Sequence, residues 1–306
     1  MTNHYQLFLF SILLLLGSAL SAERCHPDDK KTLFQIKKSF NNAYTFASWT
    51  PDTDCCGWYL VSCDETTHRI TSLSVNLPNL NGPIPKTVSN LKNLTFLWLS
   101  HNNLTGSIPD FIGNLNKLTY INLSVNKLTG KIPPSLSSLP KLGALFLERN
   151  QLSGPIPDSF SGFKKNPDFY LKLHKNQLSG PLPKSLGAVN FTVLDLSRNK
   201  LTGDASVLFG EKKGLQTVDI SRNKFTFDLT KVGFPKSLNS LELSHNMIYG
   251  SLPMALGKLP YLQQFNVSYN RLCGEIPTGK GLKRFDEYSF AHNKCLCGSP
   301  LPNPCK

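Results

Sequence analysis

Three carboxylates recur at nearly one interval, Asp195, Asp219 and Glu242, and Arg198, Arg222 and His245 follow each by three residues. On adjacent strands Asp195 and Asp219 would lie ~4.8 Å apart, near the ~5 Å that separates the two carboxyls of a retaining glycosidase. Hydrolysis also needs a cleft that excludes water and keeps one carboxyl protonated. Flanking arginines on a repeated segment imply an open surface instead. The seven histidines are scattered, and no Ser-His-Asp, Cys-His or His-Glu-x-x-His grouping occurs. The chain reads as a non-enzyme without a cofactor. The eight cysteines fall at Cys25, Cys55, Cys56 and Cys63, and at Cys273, Cys295, Cys297 and Cys305. Neither Cys55-Cys56 nor Cys295-Leu-Cys297 has zinc-ligand spacing, so no metal site is expected. An even number suits disulfides in an oxidising compartment, with the pairing left open.

The interval between the carboxylates belongs to the whole chain. Leu118-x-x-Ile121-x-Leu123-x-x-Asn126-x-Leu128-x-Gly130-x-Ile132-Pro133 recurs, with its Asn at Asn102, Asn126, Asn150, Asn176, Asn199, Asn223, Asn246 and Asn270. Pro78 replaces it in an irregular first unit, and the steps are 24, 24, 24, 26, 23, 24, 23 and 24 residues. Leucines such as Leu97 and Leu99 alternate with period two, which predicts a short strand with one buried face. The Asn amide can satisfy backbone groups of its own turn and of the adjoining coil. Gly-x-Ile-Pro combines free and fixed φ to turn each coil back. A single unit cannot cover its own core, so units must stack. The predicted fold is a leucine-rich-repeat solenoid, a right-handed α/β superhelix. Its parallel sheet lines the concave face and short or 3-10 helices the convex face.

The expected organisation is a signal peptide over 1–21, a Cys-rich cap over 22–69, nine repeats over 70–281 and a second Cys-rich cap over 282–306. Phe8 to Leu20 form an apolar run too short to span a bilayer, with Ala19 and Ser21 at the −3 and −1 places of a cleavage site at its end. In the first cap, Leu33, Ile36 and Phe40 share one face of a helix that Asp28 would open. No stop-transfer run follows, so a soluble secreted monomer is expected. The formal net charge of +13 then favours an acidic wall polymer over nucleic acid as a polyanionic partner. Five N-x-S/T sequons, Asn93, Asn103, Asn122, Asn190 and Asn266, are candidate glycosylation sites.

Alternation exposes three rows across the sheet. One reads Ser74, Trp98, Asn122, Phe146, Lys172, Asp195, Asp219, Glu242 and Asn266. A second holds Phe96, Tyr120, Ala144, Tyr170, Val193, Thr217, Ser240 and Gln264. The third, just before each Asn, reads Leu77, His101, Val125, Arg149, Lys175, Arg198, Arg222, His245 and Tyr269. Aromatic anchors in the early units beside charges in the later ones suit a protein-binding face. Alternatively, Asp195–Arg198 and Asp219–Arg222 simply neutralise one another.

Cys25-His-Pro-Asp-Asp-Lys-Lys, Asp54-Cys-Cys-Gly-Trp58 with Cys63-Asp64, Asp195-Leu-Ser-Arg-Asn199 and Cys295-Leu-Cys-Gly-Ser-Pro-Leu-Pro302 resemble the plant polygalacturonase-inhibiting proteins. The resemblance covers the whole mature chain. It implies the disulfides Cys25–Cys55, Cys56–Cys63, Cys273–Cys295 and Cys297–Cys305. It also implies occlusion of a fungal or insect endo-polygalacturonase by the concave face, in defence of the plant cell wall. Asn122, Gly143, Gln216 and Gln263 match positions that bear on recognition there, and Trp98, Tyr120, Phe146, Lys172, Asp195, Asp219, Glu242 and His245 complete the expected surface. A glycan on Asn122 or Asn266 would obstruct that surface. The basic balance further suggests a tether to pectin (polygalacturonate). Nine repeats stand where the family usually has ten. A receptor-like signalling module is the rival expectation, with ice binding behind it.

Overall fold

The computed structural model describes residues 24–76 and 80–305. The expected signal peptide and Pro78 lie outside the described residues. The leucine periodicity builds a ten-stranded sheet, in which an antiparallel first strand, Val61–Cys63, is followed by nine parallel ones from Ile70–Ser74 to Gln264–Asn266. The inward residues Leu97, Leu99, Ile121, Leu123, Leu145 and Leu147 are all at most 1% exposed. The register pairs Ser74 with Trp98, then Asn122, Phe146, Lys172, Asp195, Asp219, Glu242 and Asn266, so the first predicted row exists. The row through Phe96, Tyr120, Ala144 and Tyr170 exists beside it.

Each Asn side chain ties its own coil to the preceding one. Asn126 Oδ1 accepts from Leu104 N–H at 3.0 Å, while its Nδ2 donates to the carbonyls of Leu99, Leu123 and Ser124 at 2.9–3.1 Å. Buried backbone groups are thereby paired all along the array. Past the Asn the chain turns through glycines such as Gly106, whose φ of +76° favours a residue without Cβ. Pro109, with φ −75°, precedes the 3-10 helix Asp110–Asn114 on the far side. A second sheet of five short strands, from Thr129–Gly130 to Lys224–Phe225, runs along the flank. The 26-residue unit accommodates its two extra residues on its far side, in an eight-residue 3-10 helix, Asp158–Lys165, where Asp110–Asn114 and Pro134–Ser138 have five; a separate bulge places Thr192 of the next strand opposite the Phe169–Tyr170 step. Phe160, Phe163, Phe169 and Phe191 fill the enlarged coil with ring contacts of 4.3–6.1 Å.

The caps carry the four disulfides Cys25–Cys55, Cys56–Cys63, Cys273–Cys295 and Cys297–Cys305. The cap helix spans Pro27–Ser39 and buries Asp29, Thr32, Leu33 and Ile36. Its N-cap is His26, whose Nδ1 accepts from Asp28 N–H at 3.3 Å, rather than Asp28. Pro27 explains the earlier start, since proline at the first helical position loses no hydrogen bond. Asp29 is 1% exposed and accepts from Arg69 Nε at 2.9 Å, Arg69 Nη2 at 2.7 Å and Ile70 N–H at 2.9 Å. At the other end the Asn ladder continues into the second cap: Asn293 Oδ1 accepts from Leu272 N–H at 3.1 Å and Phe290 is fully buried. Among the described residues no helix is long and apolar enough to cross a membrane.

Candidate functional site

The early strands place an aromatic cluster on the concave face. Phe96 stacks on Tyr120 with centroids 4.2 Å apart, Trp98 lies 5.9 Å from both, and Phe146 meets Tyr120 edge-on at 5.4 Å. Lys172 Nζ stands 5.2 Å from the Phe146 ring centroid, a cation–π contact joining the aromatic half to the charged half. These rings remain partly exposed. A sheet that met only water would have no use for such a cluster.

Beyond Lys172 the face becomes acidic. His174 Nδ1 lies 2.8 Å from Asp195 Oδ2. Burial pushes the Asp195 carboxyl up, yet the adjacent His174 imidazole and hydrogen bonds from the Ser197 hydroxyl and N–H outweigh it and hold the group below its ordinary value. Burial raises the Asp219 carboxyl, with the neighbouring Asp195 charge adding to it. Glu242 is pushed up to about 7, by burial first and by the charge of Asp219 second. Opposite shifts on Asp195 and Asp219 are the pattern of an acid and base pair. On an open sheet face, however, nothing confines a scissile bond between them. Such a ladder can pair with cations displayed by a partner.

Asp195 therefore takes His174 as its partner, in place of the expected neutralisation by Arg198. The third predicted row is also relocated. His101, Val125, Arg149, Lys175, Arg198, Arg222, His245 and Tyr269 all have φ between +53° and +55°. They belong to the left-handed turn that aims each Asn inward, so strand alternation does not govern them. His245 sits on this rim in a ring stack, 4.2 Å from Tyr269, which is 4.2 Å from His292. Burial lowers the His245 pKa, helped by Arg222, Arg198 and His292.

Gly143, Gln216 and Gln263 fall together on the edge where the chain enters the sheet. Their N–H groups donate to Thr119, Thr192 and Asn239 carbonyls at 2.9, 3.0 and 2.7 Å. A Cβ on Gly143 would meet nothing closer than 3.8 Å, so the gap beside Tyr170 can take a larger side chain. Asn122 lies apart from them, within its strand, and is 7% exposed. Its Oδ1 accepts from Ser124 N–H at 3.0 Å and its Nδ2 faces Tyr120 Oη at 3.4 Å. A glycan there would have to displace Tyr120 from its stack. Peptide mass spectrometry of the folded protein, produced through a plant secretory pathway, should accordingly find Asn122 unmodified, and a glycopeptide carrying it would contradict this. The remaining sequons are all more exposed.

Sequence reasoning missed Glu148 and His174. The position after the second leucine is Ser100, Ser124, Ser197, Ser221, Ser244 and Ser268 in six other units, and past the irregular first unit, which has Asn76, only these two depart from serine. That interruption was the available signal. Glu148 Oε2 is buried without a hydrogen-bond partner, and burial raises its pKa, while His174 and Lys172 act in the opposite sense. An unsatisfied carboxyl between the aromatic cluster and Asp195 is ready to accept a hydrogen bond from outside.

Known proteins match this architecture along its length. A leucine rich repeat N-terminal domain model matches residues 26–64, and leucine rich repeat models match 92–152 and 237–259. The chain is 60% identical to a polygalacturonase inhibitor of Arabidopsis thaliana, with 98% of each chain covered. It is 55% identical to one of Pyrus communis, with 97% of each covered. The first alignment spans 328 positions, more than the 306 residues present, so that relative holds residues this chain lacks. A plant ice-binding protein of known crystal structure is 47% identical with a TM-score of 0.82, covering 92% of this chain and 99% of that one. Identity of this order over nearly the whole chain shows that the protein belongs to the plant polygalacturonase inhibitor family of leucine-rich-repeat proteins.

Proposed function

We propose that the protein is a secreted, apoplastic inhibitor of fungal or insect endo-polygalacturonases that acts by covering the enzyme with its concave face. The observation that carries this reading is the junction on one face of an aromatic cluster with an acidic ladder. An enzyme that binds polygalacturonate must display cations around its substrate, and Glu148, Asp195, Asp219 and Glu242 complement them. The rings of Trp98, Tyr120 and Phe146 supply apolar area for the contact. The exposed rim residues Arg149, Lys175, Arg198 and Arg222 suit a tether to pectin that salt should release. Ice binding calls for a flat array of like residues, which these mixed rows do not offer.

The direct test is a panel of fungal and insect endo-polygalacturonases, scored as reducing ends released. Inhibition of at least one member is expected, abolished by Asp195→Lys with folding intact. A well-folded protein that inhibits none would overturn the proposal.

Glu242 supplies a second check. A partner cation favours the carboxylate form, so binding should lower the Glu242 pKa from about 7 and release a proton between roughly pH 5 and 7. The enthalpy of complex formation in that window should depend on the ionisation heat of the buffer, and Glu242→Gln should reduce the dependence. Without a partner, the folded state holds a proton in this window that the unfolded state has released. Stability contributed by Glu242 therefore falls as pH rises through it.

A further inference from the structure

The outer side of the cap helix bears an open groove of about 540 Å³, lined by Pro27, Lys30, Lys31, Phe34, Gln35 and Lys38. The opposite side of the same helix is the buried one, holding Asp29, Thr32, Leu33 and Ile36. Steps of three and four residues bring Pro27, Lys31, Phe34 and Lys38 onto one stripe. Lys31 and Lys38 are ~10 Å apart along the helix axis. The floor is rigid: Phe34 packs edge-on against Trp58 at 5.2 Å, and Trp58 is only 4% exposed. Lys30 is held in the wall by the carbonyls of Pro51 and Thr53, at 2.8 and 2.9 Å, and lies 5.8 Å from the Trp58 ring centroid. Lys31 and Lys38 are exposed, and no carboxylate is seen paired with either among the described residues.

We propose that this groove binds an acidic oligosaccharide, a short run of uronate sugars. The chemistry of the lining favours that ligand over others that share its charge. The Phe34 ring and the Pro27 pyrrolidine present flat apolar surface to the C–H face of a sugar. Gln35 has donors and an acceptor for hydroxyls, and Lys31 and Lys38 sit far enough apart to pair with carboxylates of different sugars in one chain. The open outline suits a flat ring, whereas a peptide anchor would need a deeper pocket. This site lies on the cap and uses no concave-face residue, so it stands independently of the inhibitor reading.

The test titrates the full secreted protein at low salt with a short galacturonate oligomer. Affinity is measured by calorimetry and lysine acetylation is mapped by mass spectrometry. The oligomer should slow acetylation of Lys31 and Lys38. The double variant Lys31→Gln/Lys38→Gln should bind about fivefold more weakly, as expected for losing two exposed ion pairs. Glutamine is a good helix former, and an unchanged melting temperature will verify that the cap is intact. Unchanged affinity in the double variant, or protection confined to Lys175 and the rim, would overturn the proposal. So would displacement of the oligomer by polyglutamate at equal charge concentration, which would make the groove a site for acidic peptides.

Discussion

Replacing Arg69 with methionine should destabilise the first cap by about 3–5 kcal/mol, the usual loss when one partner of a buried ion pair is removed. Asp29 is almost fully buried and takes three hydrogen bonds, two from Arg69 and one from the Ile70 N–H. Without the guanidinium its charge stays buried with a single donor, and it must either protonate or draw water into the cap. The damage should be local at first, because Cys25–Cys55 and Cys56–Cys63 still tie the segment down. Hydrogen exchange of Pro27–Ser39 reads this directly, and urea unfolding gives the magnitude. The double variant Arg69→Met/Asp29→Leu should recover part of the loss, because no charge is then stranded. It should not recover all of it, since Ile70 N–H lacks its acceptor. An unchanged exchange rate in Arg69→Met would show that the pair contributes nothing to holding the cap.

Among truncations to alanine, the largest effect on inhibition is expected from Trp98→Ala. Interface energy concentrates in a few buried aromatic anchors, each contributing about 2 kcal/mol or more, or ~30-fold in the inhibition constant. Trp98 qualifies because its ring is preorganised: its Nε1–H donates to Ser100 Oγ and it lies against Phe96 and Tyr120. Tyr120→Ala should cost a similar amount. The double variant should cost less than the sum, since removing either ring frees the other. Tyr288, on the second cap and 73% exposed, is the control: alanine there should leave inhibition unchanged. If Trp98→Ala inhibits normally while Tyr288→Ala does not, the contact surface has been assigned to the wrong end of the molecule.

Much of this architecture is legible in the sequence because it is set by local rules repeated many times. Leu97 and Leu99, the Asn at each turn and the Gly106–Pro109 turn each specify one backbone state, and the array multiplies the signal. Residues on the strands, from Trp98 to Glu242, are placed correctly for the same reason. The rim row was misplaced because His245 and its equivalents follow the last strand residue, where the demands of the Asn side chain replace alternation. The helix start was misassigned because Asp28 and His26 can both cap, and Pro27 decides between them. Glu148 and His174 escaped notice because their position is filled by serine in six other units, and chemistry at a single unit has no repetition to announce it. The disulfide pairing could be taken only from the family resemblance, since several pairings fit the spacing of four cysteines.

The 26-residue unit has one more consequence. Its surplus is taken up in the helix Asp158–Lys165, and Tyr170, Leu171 and Lys172 still pair in register with the strands on both sides. Length errors of a residue or two are thus discharged on the back of the coil, and the front keeps its count. Gain or loss of a whole coil acts differently: it slides everything beyond it by one strand spacing and scrambles nothing. The front of such a molecule works as a ruler whose marks stay evenly spaced while its length changes. A lineage can therefore adjust how far apart two contact patches stand without redesigning either of them.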